Sequence, residues 1–287
     1  GVCLASNGPG VANALPGVAV EHAEGHRVLL ITSSRREGIA YPDRGGTFQC
    51  FPQTAVISAM SKGSFAVPSA DRVAEITRAA LRMCFTGRPG VVHLEIPESI
   101  MNGSYEARAD WFRPAGTWRV TAPMPPHAEQ VAAAAALLSS AKRPLIHAGC
   151  GVLHAGASDE VRALAQRLQA AITTSWAARC SVDERLPQSV PMPYVATVNR
   201  ARCEADVVLV LGSRLGETDW WGKAPYWAPP NEQKLIQVDI DAAVIGMNRP
   251  ADVPVQADIK TFLEQLIRHL EGRPTLRQAK GRSRWLA

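Results

Sequence analysis

The sequence predicts an α/β protein made of two parallel-sheet units, and three observations carry that prediction. Short apolar runs alternate with helical patterns along most of the chain, the alternation breaks once near the middle, and glycines stand where strands give way to helices. With 287 residues, 46% hydrophobic and 20% charged, the chain can bury two cores.

In the first unit the apolar runs at 2–5, 28–32 and 91–96 read as strands, and the patterns at 10–24 and 71–85 read as helices. The run at 2–5 reads as a buried strand, and because Gly1 is not a methionine the chain reads as a piece of something longer. Residues 104–126 mix Pro114, Gly116, Pro123, Pro125 and Pro126 with Trp111, Phe112 and Trp118, a composition suited to a linker. That places one domain at 1–103 and a second at 127–272. The second unit alternates again: helix 127–140, strand 144–148, helix 158–169, strand 171–174, helix 194–203, strands 206–212 and 234–239, helix 259–270. Residues 273–287 hold Arg273, Arg277, Lys280, Arg282 and Arg284 without an acid, and read as a basic linker tail.

Composition excludes several classes of function. The net charge of +5 is concentrated in that tail, which argues against a nucleic-acid-binding face. No apolar run approaches the roughly 18 to 20 residues of a membrane span, and no signal peptide is visible at the start. Six scattered cysteines without a C-x-x-C pair read as reduced, cytosolic and mostly buried. The histidines show no ligand spacing, so no metal site is expected; G-x-S-x-G and Walker patterns are also missing.

The most informative loop is Ser6-Asn7-Gly8-Pro9-Gly10, between the first strand and the first helix. In an α/β sheet such a turn lies at the carboxyl ends of the strands, where ligands bind, and glycines let backbone approach a ligand. A tight turn needing positive φ is the competing reading. In the second unit, Gly149-Cys150-Gly151 follows a strand, but its spacing misses G-x-G-x-x-G. Thr173-Thr174, Gly212-Ser213-Arg214 and Asp239-Ile240-Asp241 end other strands; the two aspartates suit either a ribose or a turn cap. Trp220, Trp221, Tyr226 and Trp227 suit either a substrate-facing loop or packing on a neighbour, and Lys62 and Arg88 taken singly suit solvent.

Taken together, these segments resemble the middle of a thiamine diphosphate-dependent enzyme of the acetolactate synthase group. The resemblance runs through Gly1 to Asn13, Phe48-Gln49, Lys62, Gly87-Arg88-Pro89-Gly90-Val91-Val92-His93-Leu94-Glu95-Ile96-Pro97, Ala141-Lys142-Arg143-Pro144, the Ala205 to Arg214 stretch and Gln237-Val238-Asp239-Ile240-Asp241. It implies an N-terminally truncated pyrimidine-binding domain and a Rossmann-like central domain. It also implies thiamine diphosphate with Mg²⁺, a 2-oxo acid substrate such as pyruvate, a dimer or tetramer, a cytoplasmic location and a place in branched-chain amino acid biosynthesis.

By resemblance, Ser6, Gly8, Pro9, Gly10 and Asn13 line the aminopyrimidine, Gln49 approaches the reacting centre, and Phe48 and Lys62 stand by the substrate channel. Asn7 departs from the small hydroxyl residue usual before G-P-G. The family's proton-relay glutamate would lie before Gly1 and its Mg²⁺ site after Ala287, so the chain alone is expected to be inactive. Gly149, Gly151, Thr173, Thr174, Gly212, Ser213, Arg214, Asp239 and Asp241 form a candidate nucleotide site for FAD or ADP. Pro191-Met192-Pro193-Tyr194 replaces the G-M-x-G of flavin-containing members, which tips the expectation towards no tightly bound flavin. A 2-oxo acid or oxalyl-coenzyme A decarboxylase, and outside the family a non-catalytic nucleotide-binding module, stay open.

Overall fold

The computed structural model describes residues 1–40, 45–271, 282 and 285, and the chain divides into two units, Gly1–Ala122 and Pro123–Ala287. In chain order the first holds β1 (Val2–Ala5), α1 (Pro9–Glu24), β2 (Val28–Ser34), α2 (Glu37–Ala40), α3 (Gln53–Ser58), β3 (Gly63–Ala66), α4 (Val73–Phe85), β4 (Val91–Pro97) and α5 (Glu98–Met101). The second holds α6 (Ala128–Ser140), β5 (Pro144–Ala148), α7 (Cys150–Ala155), α8 (Ser158–Leu168), β6 (Ala171–Thr174), α9 (Val195–Glu204), β7 (Val207–Leu211), β8 (Lys234–Asp239), β9 (Val253–Gln256) and α10 (Ile259–Glu271). Both sheets are parallel throughout, so the α/β expectation stands.

In the first unit the strand order is β1-β2-β4-β3. Leu30 pairs with Cys3 on one side and with His93 on the other. Leu29, Leu30, Val92 and Leu94 are buried because β2 and β4 are central and the sheet is covered by helices. The buried strand expected at 2–5 is corrected: Val2 is 66% exposed and Leu4 75%, since β1 is an edge with a single neighbour. β3 escaped the sequence reading because a four-residue strand starting with glycine carries little alternation.

Helix α1 starts at Pro9, one residue before the sequence expectation; proline tolerates the first helical turn, where its missing N–H has no intrahelical partner. It stops at Gly25, whose φ of +78° lets its N–H and the next turn back onto the helix carbonyls. Arg88 reaches the same end, donating to the carbonyls of His22 and Ala23 at 3.4 and 2.6 Å. The pattern at 71–85 resolves into a 3₁₀ turn, Ala70–Arg72, followed by α4. From α4, Arg78 and Arg82 donate to the carbonyls of Trp111 and Trp118, tying the aromatic segment expected to be linker onto this unit.

The second unit orders its strands β6-β5-β7-β8-β9. Alternate strand residues feed two cores. Ile146, Leu209, Leu211, Ile236 and Val238 pack with α6, α8 and α10, while Leu145, Val208, Val210 and Leu235 pack with Trp227. β9 and α7 were not anticipated from sequence; each is short and bounded by loop residues. Among the described residues no helix is long and apolar enough to cross a membrane.

Two expectations are corrected here. Only Cys84 of the six cysteines is buried, and burial pushes its thiol up; Cys150 and Cys203 are half-buried, and Cys3, Cys50 and Cys180 are exposed. The basic tail is not simply solvated either. Arg282 is buried and donates to the carbonyls of Leu138, Ser139, Ala141 and Leu168 at the ends of α6 and α8. Trp285 packs beside the second core and donates to Glu204 at 3.0 Å. Arg273, Arg277, Lys280 and Arg284 lie outside the described residues.

Helix C-termini leave carbonyls without partners, and a planar guanidinium can serve several of them at once. Arg282→Ala should therefore destabilise the second unit by about 2–4 kcal/mol, read by urea denaturation. Arg282→Lys should recover only part of the loss, because a single ammonium cannot fork across two helix ends.

Candidate functional site

In a parallel sheet all strand ends of one polarity share an edge, so the loop after β1 sits at the carboxyl edge of the first unit. Gly8 has φ +66° and ψ −114°, a conformation that favours glycine, and a Cβ there would come within 2.6 Å of the Gln49 carbonyl oxygen. At Gly10 a Cβ would stand 2.5 Å from Ser6 Oγ, a side-chain atom that can rotate away, so the constraint there is weaker. The loop closes through Val11 N–H to Ser6 O at 3.0 Å and Ala12 N–H to Gly8 O at 2.9 Å. Ser6, Pro9 and Asn13 are exposed on this edge, and Phe48 and Gln49 are exposed beside it.

Lys62 lies elsewhere. It precedes β3, at the amino edge of the same sheet, and its ammonium donates to the carbonyls of Thr86 and Arg88. The structure thus brings Ser6, Gly8, Pro9, Gly10, Asn13, Phe48 and Gln49 together within the unit and holds Lys62 apart from them.

Sequence reasoning missed the polar layer beneath this edge. Gln53, at the start of α3, donates its amide to Ser33 O and Glu95 Oε2, both at 2.8 Å, and to Thr32 Oγ1 at 3.3 Å. Thr54 adds a second bond to Glu95 at 2.8 Å. The buried His93 ring joins Thr32 Oγ1 through Nε2 at 2.8 Å and Ser64 Oγ through Nδ1 at 2.6 Å. Burial, working against the nearby Glu95 carboxylate, holds the His93 imidazole below its ordinary value. The unfolded chain therefore takes up the proton first, and this site loses stability as pH falls below about 6.5. Partners 20 to 61 residues apart in the chain leave no local pattern to read.

In the second unit the strand order reverses direction between β5 and β7, the position where α/β sheets open a crevice. Gly149 and Gly151 leave β5 there and Gly212 leaves β7. The Gly149 N–H donates to Leu211 O at 2.8 Å and the Gly151 N–H to Gly212 O at 3.2 Å; a Cβ on Gly149 would collide with the Gly212 carbonyl. These glycines close two backbones onto each other, and their N–H groups serve the fold. Thr173 Oγ1 meets His147 Nδ1 at 3.0 Å, Ser213 Oγ donates to Asp219 at 3.3 Å, Asp239 accepts from Asp241 N–H and Asp241 from Ala243 N–H, each at 3.0 Å. Thr174 is buried and Arg214 exposed. The N–H groups of Gly149 and Gly151 are thus committed to the Leu211 and Gly212 carbonyls and are not turned towards a diphosphate.

The loop after β7 is held by charge. Asp219 is buried with Arg202 at 2.8 Å and His147 Nε2 at 3.2 Å. The Asp219 carbonyl accepts from Trp227 Nε1 at 2.7 Å, and the Arg202 guanidinium lies 4.7 Å from the Trp227 ring centroid. Burial alone would raise the Asp219 carboxyl; His147 and Arg202 outweigh it and hold the group below the ordinary carboxylate range. Trp227 is therefore core, whereas Trp220 stacks on Tyr226 at 4.0 Å and remains partly exposed. Among the described residues no three His, Cys, Asp or Glu side chains are grouped to hold a metal.

Comparison with known proteins adds to this geometry. Residues 131–266 match the thiamine pyrophosphate enzyme central domain. A probable acetolactate synthase large subunit of Methanocaldococcus jannaschii is 30% identical over 279 residues, covering 93% of this chain and 45% of that protein. An acetolactate synthase of Mycobacterium bovis is 31% identical over 278 residues, 93% and 42% of the two chains. The large subunit of isozyme 1 from Escherichia coli is 30% identical over 276 residues, 95% and 47%. The chain spans less than half the length of these relatives.

Asp219→Asn should cost about 3–5 kcal/mol at neutral pH, because it leaves the buried Arg202 cation without its counter-charge. The carboxylate's contribution is fully present above its unfolded value of about 3.9 and is lost as pH falls through the depressed folded value. Urea denaturation of both forms should accordingly show the gap narrowing below pH about 4.

Proposed function

We propose that this chain is part of a thiamine diphosphate-dependent enzyme of the acetolactate synthase type, a reading supported by the match of residues 131–266 to the thiamine pyrophosphate enzyme central domain. In this reading the enzyme decarboxylates a 2-oxo acid such as pyruvate and joins the remaining carbons to a second carbonyl compound. It works in the cytoplasm as a dimer or tetramer and feeds branched-chain amino acid biosynthesis. The observation that carries the reading is the Gly8 turn pressed against Gln49 at the carboxyl edge of the first sheet.

The residues of that turn fit a flat heterocycle. Gly8 lets the turn close against Gln49, and Pro9 stiffens it next to the exposed Ser6. Ser6 and Asn13, exposed on the same edge, would orient the ring by hydrogen bonds. Thiamine diphosphate, when bound, supplies the electron sink for decarboxylation; the protein supplies orientation and electrostatics. The Gln49 amide would donate to a carboxylate or carbonyl oxygen of the substrate, and Phe48 would shield the reacting carbon from water. Lys62 takes no part in this arrangement within its own unit; a channel role would require another surface. Among the described residues no His, Cys, Asp or Glu cluster would hold the Mg²⁺ that such an enzyme uses. The relatives' names favour carboligation over simple decarboxylation.

The purified chain should form no acetolactate above background from pyruvate, while the longer protein that contains it should. Acetolactate formed above background by the chain alone would overturn this expectation. In the longer protein, Pro9→Ala should weaken thiamine diphosphate affinity and turnover together by about tenfold, since loop stiffness sets the ring position; isothermal titration and initial rates measure both.

The central domain, in this reading, carries no tightly bound flavin. The N–H groups of its crevice glycines are taken by the Leu211, Gly212 and Val238 carbonyls, and Met192 is buried between prolines that lack N–H donors. The visible spectrum of the longer protein should lack a stoichiometric flavin band before and after denaturation.

A further inference from the structure

The residue before the Gly8 turn does something that its position in the sequence does not reveal. Asn7 Nδ2 donates to the Gln49 carbonyl at 3.0 Å, while its Oδ1 accepts from Ser33 Oγ at 3.2 Å. Its backbone N–H donates to the same Ser33 Oγ at 2.9 Å. Ser33 is fixed in turn, because its carbonyl takes the Gln53 amide that Glu95 also holds. Gln49 stands at φ +54°, in the left-handed region that favours glycine, and its carbonyl faces the one place where Gly8 leaves no room for a Cβ. Its side chain is exposed, so packing does not hold that conformation.

We propose that Asn7 is a positioning residue: by bridging Ser33 and the Gln49 carbonyl, its amide holds Gln49 in the left-handed conformation and fixes the direction in which the Gln49 side chain leaves the loop. A planar amide carries a donor and an acceptor in fixed opposition, which matches one carbonyl on one side and one hydroxyl on the other. A serine or threonine at position 7 has a single oxygen on a shorter stem and cannot span both partners. The chain that connects Glu95, Gln53, Ser33, Asn7 and Gln49 ties the loop to the centre of the sheet through β4. The consequence for catalysis rests on the proposed reading of Gln49 as the group that meets the substrate.

Hydrogen exchange of the cofactor-free chain, resolved by peptide, tests the bridge itself. Asn7→Ala should raise exchange across residues 45–50 at least tenfold while residues 91–97 of β4 stay protected. Asn7→Asp, equal in size, keeps the Ser33 acceptor but sets a carboxylate against the Gln49 carbonyl; it should loosen residues 45–50 as much as alanine does, which a space-filling role would not produce. Ser33→Ala, should Asn7→Ala fail to fold, removes the other anchor and should give the same pattern. Unchanged exchange in these variants overturns the bridge.

Kinetics of the longer protein tests the positioning role. Asn7→Asp should lower kcat on pyruvate about tenfold with thiamine diphosphate affinity within twofold of wild type. Faster exchange with unaltered kcat overturns the positioning role, whereas a wild-type protein without turnover overturns the proposed reaction and leaves the exchange result to decide the bridge.

Discussion

Two backbones meet at the carboxyl edge of each sheet more closely than any side chain allows, and the arrangement of both candidate sites follows from that. In the first unit Gly8 lies against the Gln49 carbonyl; in the second, Gly149 and Gly151 lie against Gly212. A glycine at each contact removes the Cβ that would otherwise push the two backbones apart. The same geometry has opposite chemical outcomes. At Gly8 the close contact leaves Ser6, Pro9 and Asn13 facing outward around the start of α1. At Gly149 and Gly151 the N–H groups that could have met a phosphate are turned to Leu211 and Gly212 instead.

Buried charge organises what surrounds these contacts. Asp219 sits between Arg202 and His147, and through Trp227 it pins the loop after β7 to the core. Arg282 is the contrasting case, a buried cation whose partners are carbonyls at helix ends and not a carboxylate. There the partial negative charge of the last helical turns serves as the counter-charge. In both cases a long-range contact fixes where a loop or segment lies, so altering one charge disturbs a whole connection and not just a pair.

In the first unit the polar layer of His93, Thr32, Ser64, Gln53 and Glu95 has the corresponding role without a full ion pair. It includes Gln53 at the start of α3, which follows Phe48 and Gln49 after a short connection through Cys50, Phe51 and Pro52. The exposed groups of the candidate site thus stand on a satisfied, buried hydrogen-bond layer. Such layers are costly when incomplete, because a buried polar atom without a partner loses its hydration for nothing. That makes the loop's position a property of the sheet beneath it.

The sequence by itself determined the α/β class and most strands, because continuous apolar runs such as 91–96 and 207–211 and their flanking glycines are local signals. It also carried the resemblance to thiamine diphosphate-dependent enzymes, since G-P-G, G-R-P-G and V-D-I-D are read as strings. It could not show that β1 is an exposed edge, for edge and centre differ only in the number of neighbours. Nor could it show that Cys3, Cys50 and Cys180 face outward or that Arg282 lies buried on helix ends. The polar partners were equally illegible: Asn7 with Ser33 and Gln49, Gln53 with Glu95, and Asp219 with His147 are all distant in sequence. Tertiary structure alone decided those pairings, because a hydrogen bond depends on positions in space that chain spacing does not encode once the partners come from different strands and loops.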